Sequence, residues 1–145
     1  MKAVRIHDSL AYRVHRAARL LRRHFLDLAT RNGLDITPEQ WFILNKLSWD
    51  DGVTPSELCE SIFSDRPNMT RLLAGLEAKR LVRRATDAGD GRKTRIYLTR
   101  AGREMNDRFA ALVPDARRTL FAGIRDEELQ VVARVLQRLE DNIGD

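Results

Sequence analysis

Apolar residues recur along this chain with two different periods, and the change from one to the other locates its elements. From about residue 8 to Thr30, Leu10, Val14, Ala17, Leu21, Phe25 and Leu28 fall on one stripe at 100° per residue, with Arg13, Arg16, Arg19 and Arg23 opposite. This predicts a long first helix, ended at Asn32-Gly33, where Gly33 suits a left-handed cap. Two short helices follow. Thr37-Pro38-Glu39-Gln40 and Thr54-Pro55-Ser56-Glu57 both place a capping threonine before a proline and a side chain that completes a capping box. Trp41, Leu44 and Leu47 give the first of them an apolar face; Leu58, Cys59 and Ile62 do so for the second. A fourth helix is predicted from Ser64 or Asp65 to about Lys79, with Met69, Leu72, Leu73 and Leu76 buried.

After Arg80 the period shortens. Residues 81–85 and 94–98 are β-prone, and Asp87-Ala88-Gly89-Asp90-Gly91 between them is a turn cluster, so a hairpin is expected. Thr99 then caps a helix expected to run from Arg100 to about Phe121, bent at Pro114. The last helix, from about Asp126 to Asn142, spaces Leu129, Val132, Leu136, Leu139 and Ile143 by threes and fours, which suits packing against another helix. The fold class is mainly α with a small β-hairpin wing: a winged helix-turn-helix between long N- and C-terminal dimerisation helices. With 145 residues and no linker or repeat, a single domain over 1–145 is expected, with a lobe at about 34–99 and a helical lobe from about 8–31 and 100–145.

Charge sharpens this picture once it is divided along the chain. The formal net charge is +5. Residues 1–31 hold eight basic and two acidic side chains, residues 32–64 one and six, residues 65–95 nine and four, and residues 96–145 eight and nine. Clustered positive charge can be a footprint for nucleic acid. For the first segment, a solvated arginine face is the simpler account. A single cysteine excludes a disulfide framework and a thiolate zinc site. No apolar run approaches the roughly 18 residues a bilayer crossing needs, and the first residues lack the apolar core of a signal peptide. A cytoplasmic protein without membrane contact is expected.

Candidate chemistry concentrates in residues 65–95. The outward stripe of the fourth helix is Pro67, Arg71, Ala74 and Ala78, flanked by Thr70 and Gly75, with Arg66 and Asn68 at its N-terminal edge. Arginine can bond guanine bidentately, asparagine can do so to adenine, and small residues let a helix sit deep in a major groove. Alone, this helix leaves DNA reading and a partnerless surface about even. The hairpin shifts the balance, because Arg83, Arg84, Arg92, Lys93 and Arg95 gather on a ribbon too small to bury much. Arg92 at its tip can enter a narrow minor groove. Asp87 reads as a turn former and Asp90 as the carboxylate that orients Arg92.

The run from Ile36 to Gly102 resembles the MarR family of bacterial winged-helix regulators. The residues that carry the resemblance are T-P-E-Q-W at 37–41, T-P-S-E-L at 54–58, N-M-T-R-L-L at 68–73, L-E-A-K-R-L-V at 76–82, Asp87, Asp90 and Arg92 of a D-x-x-D-x-R wing, and Leu98, Thr99 and Gly102. The family implies a homodimer in which first and last helices interlock and each winged helix reads half of a palindromic operator in double-stranded DNA. It also implies Asn68, Thr70 and Arg71 on the recognition helix and Arg92 on the wing. Arg66, Lys93 and Arg95 complete the expected DNA contacts. One departure is Arg80, where the family usually has glycine; another is the start of the last helix at Ile124-Arg125-Asp126, which lacks the usual Ser or Thr cap and has Asp126 as its substitute.

The expected function is a repressor released by a small-molecule effector, an aromatic acid being the candidate class. His24 and Trp41 are the candidate polar handle and aromatic wall for it, with ordinary core or boundary roles as the alternative. A protein-interaction module and a non-specific architectural DNA-binding protein are the rival readings. Cys59 reads as a buried small residue rather than a redox sensor. His15 and His24 lie on opposite faces of one helix, so no metal is expected, and no catalytic motif or cofactor loop is present.

Overall fold

The computed structural model describes residues 5–144. Its contacts divide the chain into two compact units, one ending at Phe109 and one beginning at Ala110. The first holds α1 (Leu10–Arg31), α2 (Pro38–Trp49), α3 (Pro55–Ile62), α4 (Arg66–Ala78), β1 (Val82–Thr86), β2 (Thr94–Leu98) and nearly all of α5 (Arg100–Ala110). The second holds α6 (Val113–Leu120) and α7 (Asp126–Ile143).

Capping decides where the central helices begin. In both threonine boxes the hydroxyl accepts from the backbone three residues on, at 3.3 Å, and the Gln40 or Glu57 side chain accepts from the threonine N–H at 3.2 and 2.7 Å. Asp65 caps α4 by accepting from Asn68 N at 2.7 Å. Three of these helices end in the same way. Gly33, Phe63 and Arg80 have φ of 68°, 49° and 57°. The next residue's N–H then reaches back to Ala29, Cys59 or Leu76 at 2.9, 3.0 and 2.9 Å, the hydrogen-bond signature of a Schellman cap. Arg80 therefore adopts the left-handed conformation that glycine takes more easily, and its carbonyl accepts from the Thr99 hydroxyl at 2.7 Å.

The core of this unit lies between the three short helices and the ribbon. Ile43, Leu44, Leu47, Leu58, Met69, Leu73, Leu76 and Ile96 are its largest fully buried side chains. β1 pairs with β2 antiparallel, Val82 opposite Leu98 and Thr86 opposite Thr94. An isolated bridge joins Val53 to Ile96, with Ile96 N donating to Val53 O at 2.8 Å and Gly52 N to Ile96 O at 3.0 Å. The connector from α2 to α3 thereby covers the inner edge of the wing.

Two expectations about the C-terminal helices are corrected. The predicted helix from Arg100 to Phe121 is interrupted: α5 ends at Ala110 and α6 starts at Val113. Pro114 lies in the first turn of α6, where its missing N–H breaks no bond, so it starts a helix instead of bending one. At α7 the cap position falls on Arg125, not Asp126; Glu128 Oε2 accepts from the Arg125 backbone N–H at 2.9 Å.

Both amphipathic terminal helices keep apolar surface uncovered. On α1, Leu10 is 60% and Leu21 46% exposed, while Ala29 at the other end is buried. On α7, Val132, Leu136, Leu139 and Ile143 are all exposed.

Gly102 shows how tightly α5 meets the ribbon. A Cβ there would lie 1.9 Å from the Leu81 carbonyl oxygen, which already accepts from Thr99 N at 3.1 Å. Backbone, not a flexible side chain, would have to yield. Gly102→Ala is expected to lower unfolding stability by about 3 kcal/mol, read as a drop in the thermal midpoint; an unchanged midpoint would refute this packing.

Candidate nucleic-acid interface

The candidate face is built from α3, α4 and the wing, which line a groove of about 570 Å³. Its walls include Ser56, Arg66, Thr70, Arg92, Lys93 and Arg95. Along α4, Arg66, Pro67, Thr70, Arg71, Ala74 and Ala78 are exposed, while Met69, Leu73 and Leu76 anchor the opposite side in the core.

The polar side chains differ in how free they are. Arg66 Nη2 donates to Ser56 Oγ at 2.7 Å, tying the first turn of α4 to the first turn of α3. Thr70 Oγ1 donates to the Arg66 carbonyl at 2.9 Å, leaving its lone pairs available. Asn68 is half-buried and its Nδ2 donates to Ser64 Oγ at 2.9 Å. Nδ2 carries two N–H groups, so a second N–H and Oδ1 remain for an adenine edge while the first holds Ser64. Arg71 is exposed and has no acidic partner among the described residues.

On the wing, the arginines that cluster in sequence separate by role. Arg83 lies over the Tyr97 ring, 4.5 Å from its centre, and Arg84 Nε pairs with Glu77 at 2.6 Å. Arg95, expected to reach DNA, is held on two sides: Nε donates to Asp87 Oδ2 at 2.7 Å and Nη1 to the Gly52 carbonyl at 2.8 Å. Arg92 and Lys93 are exposed and without an acidic partner among the described residues.

Both wing aspartates form turns, as expected of Asp87, but the one that also orients an arginine is Asp87 and not Asp90. Asp90 Oδ1 accepts from the Arg92 backbone N–H at 3.0 Å, a turn-forming contact, and leaves the guanidinium alone. Asp87 is the orienter, and the side chain it orients is Arg95. Its other oxygen accepts from Gly89 N at 2.8 Å. The Gly89 N–H and the Arg95 guanidinium together hold its carboxyl below the ordinary aspartate value.

Gly75 also has an internal reason rather than a groove-facing one. It is half-buried, and a Cβ there would lie 3.0 Å from Gln40 Nε2. Gln40 itself is buried and accepts at Oε1 from Lys79 Nζ at 3.2 Å, while Lys79 also donates to the Asp35 carbonyl at 2.8 Å. The C-terminal end of α4 is thus braced against the start of α2. Sequence reading assigned Gln40 to its capping box and missed this second bond, which joins residues 39 positions apart. Cys59 is half-buried at the groove instead of buried in the core.

His24 and Trp41 lie outside this face, on α1 and α2. Trp41 packs against Phe109 with ring centres 4.8 Å apart, and Phe25 stacks on Phe109 at 4.1 Å. The ring nitrogens His24 Nε2 and Trp41 Nε1 are buried without a hydrogen-bond partner. Among the described residues, no group of three or more His, Cys, Asp or Glu side chains is placed to hold a metal ion, and no helix is long and apolar enough to cross a membrane.

Residues 34–93 match the family model described as MarR family. Over that stretch, which is the winged helix, the chain is similar to the MarR family. Members of that family are transcriptional regulators, not enzymes. The MarR fold extends over most of the chain in solved structures. The PcaV transcriptional regulator of Streptomyces coelicolor, solved with its natural ligand, is 23% identical over all of both chains, with a TM-score of 0.82. A mutant MarR of E. coli complexed with operator DNA is 24% identical, over 90% of this chain and 92% of that one, with a TM-score of 0.83. A MarR-family regulator of Silicibacter pomeroyi is 26% identical, over 98% and 97%, with a TM-score of 0.75.

The Asp87 contacts set a pH dependence for the wing. A carboxyl whose folded value is depressed stabilises its contacts above its unfolded value, and that contribution disappears as pH falls through the folded one. The Gly89 amide resonance, followed by NMR, is expected to titrate with a midpoint below about 3.9, the ordinary aspartate value. A midpoint at or above that value would contradict the pairing.

Proposed function

We propose that this protein is a DNA-binding transcriptional regulator that acts as a homodimeric repressor on a palindromic operator. One observation carries the reading: the exposed edge of α4 and the unpaired cations Arg92 and Lys93 of the wing open onto a single groove. In this reading α4 enters the major groove, where Arg71 and Thr70 meet base edges and Arg66 stands at the helix start. Asn68 joins them through Oδ1 and its second Nδ2 hydrogen. Arg92 reaches into the neighbouring minor groove and Lys93 contacts phosphate. Arg95 and Asp90 act at one remove, bracing the ribbon and its turn.

Dimerisation is supported by the apolar faces of α1 and α7, which a single chain leaves in water and a second copy would bury. Effector response is supported by His24 Nε2 and Trp41 Nε1. Buried ring nitrogens without partners are rare, and an N–H at each would suit the carboxylate of an aromatic acid whose ring packs against Phe25, Trp41 and Phe109. Such a ligand favours one arrangement of the dimer over another, which is how it would release the operator.

Selection of binding sites from a random duplex library tests the reading. A palindrome with half-sites about one helical turn apart is expected, bound by a particle of twice the 16.7 kDa chain mass in sedimentation. Enrichment of no sequence, with steep salt dependence, would favour the architectural rival; no binding at low salt would favour a protein-interaction module. On the selected duplex, Arg92→Ala is expected to weaken binding and reduce the salt slope by about one. Unchanged affinity and slope would remove the wing from the mechanism. For the effector, benzoate is expected to quench Trp41 fluorescence in a Trp49→Phe background, and His24→Ala to abolish the quenching. Equal quenching in both would place the ligand elsewhere.

A further inference from the structure

We propose that Phe63 reads DNA: its ring meets the C5-methyl of a thymine at the rim of the major groove that α4 enters. This rests on the DNA-reading function above and adds a specificity residue to it.

Phe63 stands where its own chain gives it nothing to hold. It fills the left-handed position of the cap that ends α3, at φ 49°, in the same motif that Gly33 fills after α1. Glycine adopts that conformation without steric cost; a bulky side chain there is a strained outlier, of the kind that gathers at binding sites. The strain is not offset by packing, because Phe63 is 86% exposed and enters none of the aromatic or cation–π contacts among the described residues.

Its place in the fold selects the partner. Phe63 lies in the turn between α3 and α4, two residues before the Asp65 cap. Ser56 and Cys59 of α3 line the groove beside α4, and Phe63 caps the C-terminal end of that same helix. Arg66, bonded to Ser56, fixes the start of α4 against this same side of α3. In a helix-turn-helix the N-terminal end of the second helix reaches the base edges, which brings the preceding turn to the groove rim. A phenyl ring offers phosphate nothing. On a major-groove base edge the apolar feature it can match is the thymine methyl.

The test uses Phe63→Ala and Phe63→Gly on the duplex that the wild-type protein selects, and on the same duplex with each thymine in turn replaced by uracil, which lacks the methyl. Both variants are expected to melt within a few degrees of wild type, since the residue is exposed. Phe63→Ala is expected to weaken binding about fourfold, the worth of roughly one buried methyl group. One uracil substitution should weaken wild type by a similar factor and leave Phe63→Ala unaffected. Wild-type affinity in Phe63→Ala overturns the proposal, and would point to a protein partner for this ring. A variant that still responds to uracil as wild type does overturns it too. If the wild-type protein selects no sequence, the DNA-reading function itself fails; if selection succeeds and the uracil series is flat, only the role of Phe63 fails.

Discussion

The edge of a two-stranded ribbon is the constraint on which this winged helix depends. A ribbon alone is marginal in water and would wander relative to the helix beside it. Here Ile96 is bonded through both backbone groups to the connector between α2 and α3, and its side chain is fully buried in the core. Asp51 at the same connector accepts from Leu98 N at 2.9 Å, and Arg95 reaches the Gly52 carbonyl. The base of the wing is therefore held by four hydrogen bonds to three consecutive connector residues, Asp51, Gly52 and Val53. The Arg92 tip inherits its position from that base.

The other end of the α4 face is fixed by quite different means. Arg66 is tied to α3 and Lys79 to α2, so α4 is pinned at its first turn and just past its last. Between these points its outward surface is small and open. Rigidity at the ends with freedom in the middle is what a groove-reading helix needs, since its own side chains then do not have to be ordered by the duplex.

Much of this was legible from residues alone, and what was missed shares a physical cause. Capping boxes at Thr37 and Thr54, the turn cluster between the strands and the apolar stripes are local signals, carried by residues within four positions of each other, and the elements follow them. Pro114 misled because a proline can bend a helix or begin one, and the choice depends on where the preceding helix frays. That Asp87, and not Asp90, orients an arginine was invisible for a related reason. Both carboxylates suit a turn, and only the register of the ribbon, which sets Ala85 opposite Arg95, places Arg95 within reach of Asp87. Gly75 looked like an opening toward a groove, yet its neighbour is Gln40 from another helix. Contacts between distant residues leave no period in a sequence.

Residues 65–95 carry nine basic side chains, and five of these already have company: Arg66 with Ser56, Lys79 with Asp35 and Gln40, Arg83 with Tyr97, Arg84 with Glu77, Arg95 with Asp87. The cluster that looks electrostatic in sequence is largely structural in space. Non-specific affinity for duplex grows with the number of phosphates a protein can neutralise. A regulator whose arginines are mostly engaged at home lingers less on arbitrary DNA, so more of its residence on a chromosome is left to be decided by base edges.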